Sequence, residues 1–340
     1  MSEYMNMEAS PAPSDVRLTL LDLVVTPHGA PELAASDGTV ICLGNFDGVH
    51  PAHRQILREG VRVSRTALTH GLCGVFCFFK PSADYKPDHE DHPGHLTTLR
   101  EKLSLFADCG VDFVCLCDFA AVRGMSPDDF ISLLRTRLHC RGVVCGFNYR
   151  FGAGGVGTPD LLSAAFSRAD DCGTLVLPEM TLSLPGGGQT VTVSSSRIRQ
   201  ALAEGDPEAA AVLLGRPYSL TAPVVSGKRL GRTVGFPTAN QYFPAERLVP
   251  RRGVYAVRVT LPGGSTCSGV ANVGTHPTVD SHARVNCETH IIGFSGDLYG
   301  QRVTVEFLHY IRPERRFDSL DELVFAIRQD EQTAVRLLGG

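Results

Sequence analysis

An uncharged stretch, Thr39-Val40-Ile41-Cys42-Leu43, runs directly into the ten residues GNFDGVHPAH at 44–53. The first reads as a buried strand and Asp47-Gly48 as a tight turn behind it. Pro51 suits the first turn of a helix, because its fixed φ is helical and its missing N–H would have no partner there. His50 and His53 then lie three positions apart on one face. A helix start attracts anions, and two imidazoles at its mouth make this βα unit a place to hold the phosphates of a nucleotide. Two histidines at this spacing also suit a metal, but zinc takes four ligands, and no cysteine or third histidine stands nearby at a helical or CxxC spacing.

At 340 residues the chain exceeds one ordinary domain and predicts about two. Its 32 basic and 36 acidic residues leave a net charge of −4, which gives no general pull toward nucleic acid or a membrane; any phosphate site must be local. The apolar runs fall far short of the roughly 20 residues that span a bilayer, and 1–15 lacks a basic region followed by an apolar core. The 11 cysteines are odd in number and show no framework spacing, which points to reduced thiols and a cytoplasmic protein.

Strand-like runs at 40–43, 74–79, 113–117, 142–145 and 174–177 alternate with helical stretches, the pattern of a doubly wound parallel α/β sheet. Thr98 and Glu101 form a capping box that opens a helix ending near Cys109-Gly110, a structural role. From 217 onward the texture changes to short β-rich runs at 253–260, 267–273, 286–292 and 302–310, as in a small antiparallel β-barrel, followed by a helix over 319–338. The expected organisation is a disordered tail (1–15), an α/β domain (16–205), a linker (206–216) and a mainly β domain with a C-terminal helix (217–340).

Three further segments carry candidate chemistry. Five of the twelve residues at 146–157 are glycine, so this backbone either wraps a ligand closely or forms a plain surface loop; Thr158-Pro159 then caps and starts a helix. SSSRIR at 194–199 sets hydroxyls at a helix start before Arg197 and Arg199, which suits a triphosphate or an ordinary capped, solvated helix. GKRLGRTVGFPTAN at 227–240 has glycines at 227, 231 and 235, and Thr238 and Asn240 send oxygen atoms to one face of an extended segment, as Mg²⁺ prefers. It is neither a Walker A sequence nor a protein-kinase loop. Glu288, a lone acid in the apolar run CETHII, is either a working base or a solvent-facing strand residue.

Together these segments resemble the bacterial bifunctional riboflavin kinase/FMN adenylyltransferases, the prokaryotic FAD synthetases. GNFDGVHPAH matches that family's G-x-F-D-G-V-H-x-G-H, GFNYRFG its G-x-[DN]-F-x-F-G, and SSSRIR its S-S-T-x-I-R. PTAN is a riboflavin kinase signature, and the pattern continues through GVYAVRV, GVANVGTHPTVD, CETHIIGFSGDLYG and IRPERRFDSLDEL, so the likeness covers 17–338. It implies a Rossmann-like HxxH nucleotidyltransferase domain, then a riboflavin kinase barrel. In the first, Gly44, Phe46, Asp47, Gly48, His50, His53, Asn148, Ser195 and Arg199 would bind ATP, with His50, His53 and Arg199 catalytic and Asn148 also touching flavin. In the second, Gly227, Gly231, Gly235, Pro237 and Thr238 would bind ATP, Thr238 and Asn240 would hold Mg²⁺, Arg312 would contact flavin, and Glu288 would take the proton of the riboflavin 5′-hydroxyl. The substrates implied are riboflavin, FMN and ATP, with no nucleic-acid or membrane partner; a homo-oligomer is compatible with the resemblance. Departures concentrate in the first half: Ala52 stands for a usual Gly, FFKPSA at 78–83 replaces F-x-P-H-P so that Ser82 takes the place of its His, and Ser196 replaces Thr. In the second half Ala222 replaces a common Gly and Gly293 an acid. A riboflavin kinase whose first half only binds nucleotide, or transfers adenylyl groups weakly, is the alternative.

Overall fold

The computed structural model describes residues 17–19, 24–26, 36–80, 94–185, 190–227, 235–275 and 285–339. The tail 1–15, Ser82 and Gly231 lie outside them. The chain divides into two compact units, one from Met1–His92 and Leu99–Glu179, the other from Pro93–Thr98 and Met180–Gly340.

The first unit is built on a seven-stranded sheet of β1 (Arg17–Thr19), β2 (Val24–Thr26), β3 (Thr39–Leu43), β4 (Leu72–Lys80), β5 (Phe113–Asp118), β6 (Cys140–Gly146) and β7 (Gly173–Leu177). Its order is β1-β2-β5-β4-β3-β6-β7, and the five strands from β5 to β7 are parallel. Helices α1 (Pro51–Ala67), α2 (Leu99–Ala107), α3 (Phe119–Val122), α4 (Pro127–Arg137) and α5 (Pro159–Ala165) complete it. Strand β3 is buried along its whole length because both of its faces are covered. Val40 and Cys42 join a core with Leu57 of α1 and Phe106 of α2, while Ile41 and Leu43 join one with Phe130 of α4 and Leu162 of α5. After β3 the chain moves to one side for β4 and β5, then crosses over to β6 and β7 on the other. The carboxyl ends of β3 and β6, paired at Leu43 and Cys145, therefore flank the switch point where ligands of such sheets bind.

The second unit contains a hairpin of β8 (Thr181–Ser183) and β9 (Thr190–Thr192), then α6 (Ser195–Glu204) and α7 (Pro207–Leu214). A six-stranded antiparallel sheet follows, with β10 (Tyr218–Pro223), β11 (Thr238–Tyr242), β12 (Gly253–Thr260), β13 (Thr266–Thr275), β14 (Val285–Ile291) and β15 (Arg302–Arg312) in the order β10-β15-β12-β13-β14-β11. The sheet curls until its two edges meet: Val225 N–H donates to the Asn240 carbonyl (2.8 Å), and the buried Gln241 amide donates to the Ala222 and Val303 carbonyls (2.7 and 2.8 Å). The C-terminal helix α8 (Leu320–Leu338) turns Ala326, Asp330 and Ala334 inward, small side chains four apart that permit close packing on the sheet.

Residues 206–216, expected as a linker, form helix α7 instead. Asp206 caps it through the Ala209 N–H, and Ala209, Ala210, Leu213 and Leu214 are buried, so the apolar run PEAAAVLL belongs to a packed helix. Both α6 and α7 group with the second unit, so the contact boundary falls at Glu179 rather than at 205.

Candidate active sites

In the first unit the loop 44–50 leaves β3 through a turn closed by the Val49 N–H donating to the Phe46 carbonyl (3.3 Å). Three of its residues have left-handed φ: Phe46 (50°), Gly48 (83°) and Val49 (42°). Glycine adopts this freely, whereas a β-branched valine there is strained. The Phe46 ring folds back over Gly44, where a Cβ would stand 3.1 Å from it, a contact the ring would have to ease by a few tenths of an ångström.

His50 is the N-cap of α1, its Nδ1 accepting from the His53 N–H (3.4 Å). Pro51 has no N–H, which leaves the Ala52 N–H as the donor of the helix start among the described residues. The two imidazoles stack, with centroids 3.5 Å apart and planes 16° from parallel. Rings so close do not both carry a proton cheaply. Burial, then His50 and Lys102, hold the His53 imidazole well below its usual value of 6.5, so it is neutral near pH 7. Its Nδ1 is covered and has no hydrogen-bond partner among the described residues.

Asn148 lies in the turn that follows β6, beside the carboxyl end of β3. Gly146, from which its Oδ1 is in contact range, also faces Ile56 of α1. In the glycine-rich stretch beyond it, Gly152, Gly154 and Gly155 adopt left-handed φ and Gly157 runs against the Phe151 ring, so these glycines serve the loop's own compact turn. Thr158 caps α5 as expected. Ser195 and Arg199 lie on α6 in the second unit, where Ser194 caps the helix through the Arg197 N–H and the Arg199 Nε donates to the Gly94 carbonyl (3.2 Å).

In the curled sheet of the second unit, antiparallel register sets Thr238 opposite His290 and Asn240 opposite Glu288, with Asn272 of β13 opposite Glu288 on its other side. The Asn240 amide donates to Thr238 Oγ1 (3.4 Å) and to the Thr238 carbonyl (3.3 Å), so the two oxygen-bearing side chains share one face. Gly227 passes against that amide so closely that a Cβ would stand 2.6 Å from its nitrogen. Gly235 takes a left-handed φ of 85° before the Pro237 turn. Hard oxygen donors, two from the protein and the rest from phosphate and water, are the set Mg²⁺ takes, and this face fits it.

Two residues missed in the sequence complete the face. The buried Asn286 amide donates to Glu288 Oε1 (3.2 Å), and the His290 ring bonds the Pro237 carbonyl through Nδ1 (3.0 Å). Their period-2 spacing around Glu288 was the available signal. Arg312 closes β15 with its Nε and one terminal nitrogen on the Asp330 carboxylate (2.9 and 2.7 Å) and the other on the Pro313 carbonyl (3.1 Å). Its donors tie α8 to the sheet.

The fold and these two phosphate-suited sites define a pair of fused transferases, a nucleotidyltransferase and a kinase. Residues 33–184 match the family model for FAD synthetase, and residues 214–338 the one for riboflavin kinase. The bifunctional riboflavin kinase/FMN adenylyltransferase of Escherichia coli (strain K12) is 39% identical over 309 residues, covering 90% of this chain and 95% of its own. That of Bacillus subtilis (strain 168) is 32% identical over 302 residues, covering 88% and 92%. A solved structure described as a macrolide-efflux protein from Streptococcus pneumoniae matches with a TM-score of 0.74 at 29% identity, over 87% of this chain and 93% of that one. Among the described residues no helix is long and apolar enough to cross a membrane. The chain belongs to the family of bifunctional riboflavin kinase/FMN adenylyltransferases.

Proposed function

We propose that the second unit moves the γ-phosphoryl group of ATP onto the 5′-hydroxyl of riboflavin, giving FMN and ADP, and that the first unit joins FMN to AMP from a second ATP, giving FAD and pyrophosphate. The observation that carries this reading is the single face on which Thr238, Asn240 and Glu288 meet, two neutral oxygen donors beside one carboxylate. Glu288 takes the proton of the hydroxyl as its oxygen attacks phosphorus, and Asn286 steadies the carboxylate for that transfer. Thr238 and Asn240 would hold Mg²⁺, which would supply neutralising charge for the transferred phosphoryl group. Gly227, Gly235 and Pro237 shape the backbone around ATP. Arg312 contacts flavin with the donors that Asp330 and Pro313 leave, three of its five N–H groups being engaged there.

In adenylyl transfer the FMN phosphate is itself the nucleophile at the α-phosphorus, so no protein nucleophile is needed. The loop 44–50 and the His50 and His53 donors hold the phosphates and stabilise charge on the departing pyrophosphate. Asn148 contacts nucleotide and flavin. Phosphate contacts for Ser195 and Arg199 rest on the family pattern at 194–199.

Incubating the protein with riboflavin, ATP and Mg²⁺, and in parallel with FMN and ATP, tests the reading when flavins are separated by chromatography over time. FMN followed by FAD supports it. FMN alone would deny the first unit its reaction, and no product with flavin retained would mark a binding protein.

A further inference from the structure

Lys102, in the first turn of α2, is 5% exposed. A buried ammonium loses most of its hydration, a cost tolerated only where other groups replace water. Its Nζ donates to the backbone carbonyl of Asn45 (3.0 Å), its one hydrogen bond among the described residues, and to no carboxylate. One turn further along α2, the Phe106 ring meets the Phe46 ring edge to face (centroids 5.6 Å apart), and Phe46 stands in the same manner 5.2 Å from the His53 ring. Helix α2 therefore grips the loop at two successive residues, the carbonyl of Asn45 and the ring of Phe46, at the point where its backbone first turns left-handed. A loop that also carries a left-handed valine does not hold this shape on local preference alone.

We propose that Lys102 is a positioning residue for adenylyl transfer: anchored on the Asn45 carbonyl, it holds the strained loop 44–50 and places a fixed positive charge beneath the phosphate site. The inference rests on reading His50 and His53 as that site. Two consequences follow from the charge. Phosphates approaching the loop meet a cation in a region of low dielectric, where its field is strong. The same charge bears on His53. The groups that face this imidazole are His50, stacked from the cap of α1, and Lys102 from α2, with the Phe46 ring against it. Burial first, then His50 and Lys102, oppose its protonation, so His53 stays neutral.

The test uses the full chain with Lys102→Met and Lys102→Gln, the second keeping a donor for the Asn45 carbonyl while removing only charge. FAD formation from FMN, FMN formation from riboflavin, and the ¹⁵N-NMR titration of His53 are measured on each. Both variants should lose at least tenfold in kcat/KM for ATP in adenylyl transfer, keep riboflavin phosphorylation within twofold, and raise the His53 midpoint by half a pH unit or more. Adenylyl transfer within twofold of wild type in both variants overturns the proposal, as does an unmoved His53 midpoint in Lys102→Gln. His53→Ala run alongside separates the two readings: if it retained adenylyl transfer, the assignment of His53 would fail on its own, whatever the lysine variants did.

Discussion

Gly227→Ala isolates the proposed metal-holding face of the kinase from the stability of its fold. A Cβ at this position would lie 2.6, 2.7 and 2.8 Å from the nitrogen, carbon and oxygen of the Asn240 amide, inside any real contact distance. Gly227 is not left-handed, so alanine takes up its backbone without strain and the conflict is one of space. What yields is the Asn240 amide, held among the described residues by two long bonds to Thr238 and, at 9% exposure, with little room to move without turning its oxygen away. An interaction with a charged group is worth about 1.5–3 kcal/mol, and about 1.4 kcal/mol is tenfold in rate. The kcat/KM for Mg-ATP in riboflavin phosphorylation should therefore fall about 10- to 150-fold, while FAD formation from FMN is unchanged and the melting temperature moves by a few degrees at most. Initial rates of FMN formation across Mg²⁺ and ATP concentrations measure this. Wild-type KM and kcat in the variant would refute the reasoning, because the amide would then be displaced without consequence and could not be a metal ligand.

Glu288→Ala should abolish FMN formation from riboflavin and spare FAD formation from added FMN, and His53→Ala should do the reverse; chromatography of both reactions checks each, and either variant retaining its own step would cancel that role. Gly60→Ala in α1 should lower the melting temperature of the first unit even though alanine is the better helix former by about 1 kcal/mol, because its Cβ would stand 2.3 Å from Cys42 Sγ and 3.1 Å from Cys73 Sγ in a packed core where excess volume costs about 1–3 kcal/mol. Added to Cys42→Ala the same substitution should stabilise, so calorimetry that showed one sign in both backgrounds would contradict the packing argument.

Much of this molecule was readable in one dimension where local pattern and burial agree. The run expected at 253–260 is β12 itself, and those expected at 40–43 and 302–310 extend by only one and two residues into β3 and β15. Turn chemistry placed Asp47-Gly48 and Thr158-Pro159 correctly for the same reason. What escaped depends on partners distant in sequence. Gln241 reaches carbonyls 19 and 62 residues away to close the sheet, and Lys102 reaches Asn45 across 57 residues. A lysine on a helix reads as solvated, and nothing local marks it as buried. The ion pair of Arg312 also escaped, because its partner, Asp330, lies 18 residues on, in a helix whose inward face emerges only on docking. Helix α7 was taken for a linker because a composition change hid its apolar run.

The two sites meet the same triphosphate with opposite donor sets, and this sets how each depends on metal. In the first unit the groups at the loop are mostly donors or cationic: apart from the one buried carboxylate of Asp47, they are the imidazole N–H groups, the backbone N–H of Ala52 and the Lys102 ammonium beneath. These attract phosphate oxygens directly. The kinase face of the second unit offers the reverse, the oxygens of Thr238 and Asn240 and the carboxylate of Glu288. Oxygen set against phosphate oxygen is repulsive until a cation stands between them. Metal removal should therefore silence riboflavin phosphorylation completely, while ATP still binds the first unit with reduced affinity. Calorimetric titration of ATP in excess chelator, repeated with His53→Ala, reads this directly: one weak site in the wild type should disappear in the variant. If chelated protein instead bound no ATP at all, the donors of the first unit would be too weak to hold a nucleotide without metal, and the contrast between the sites would be wrong.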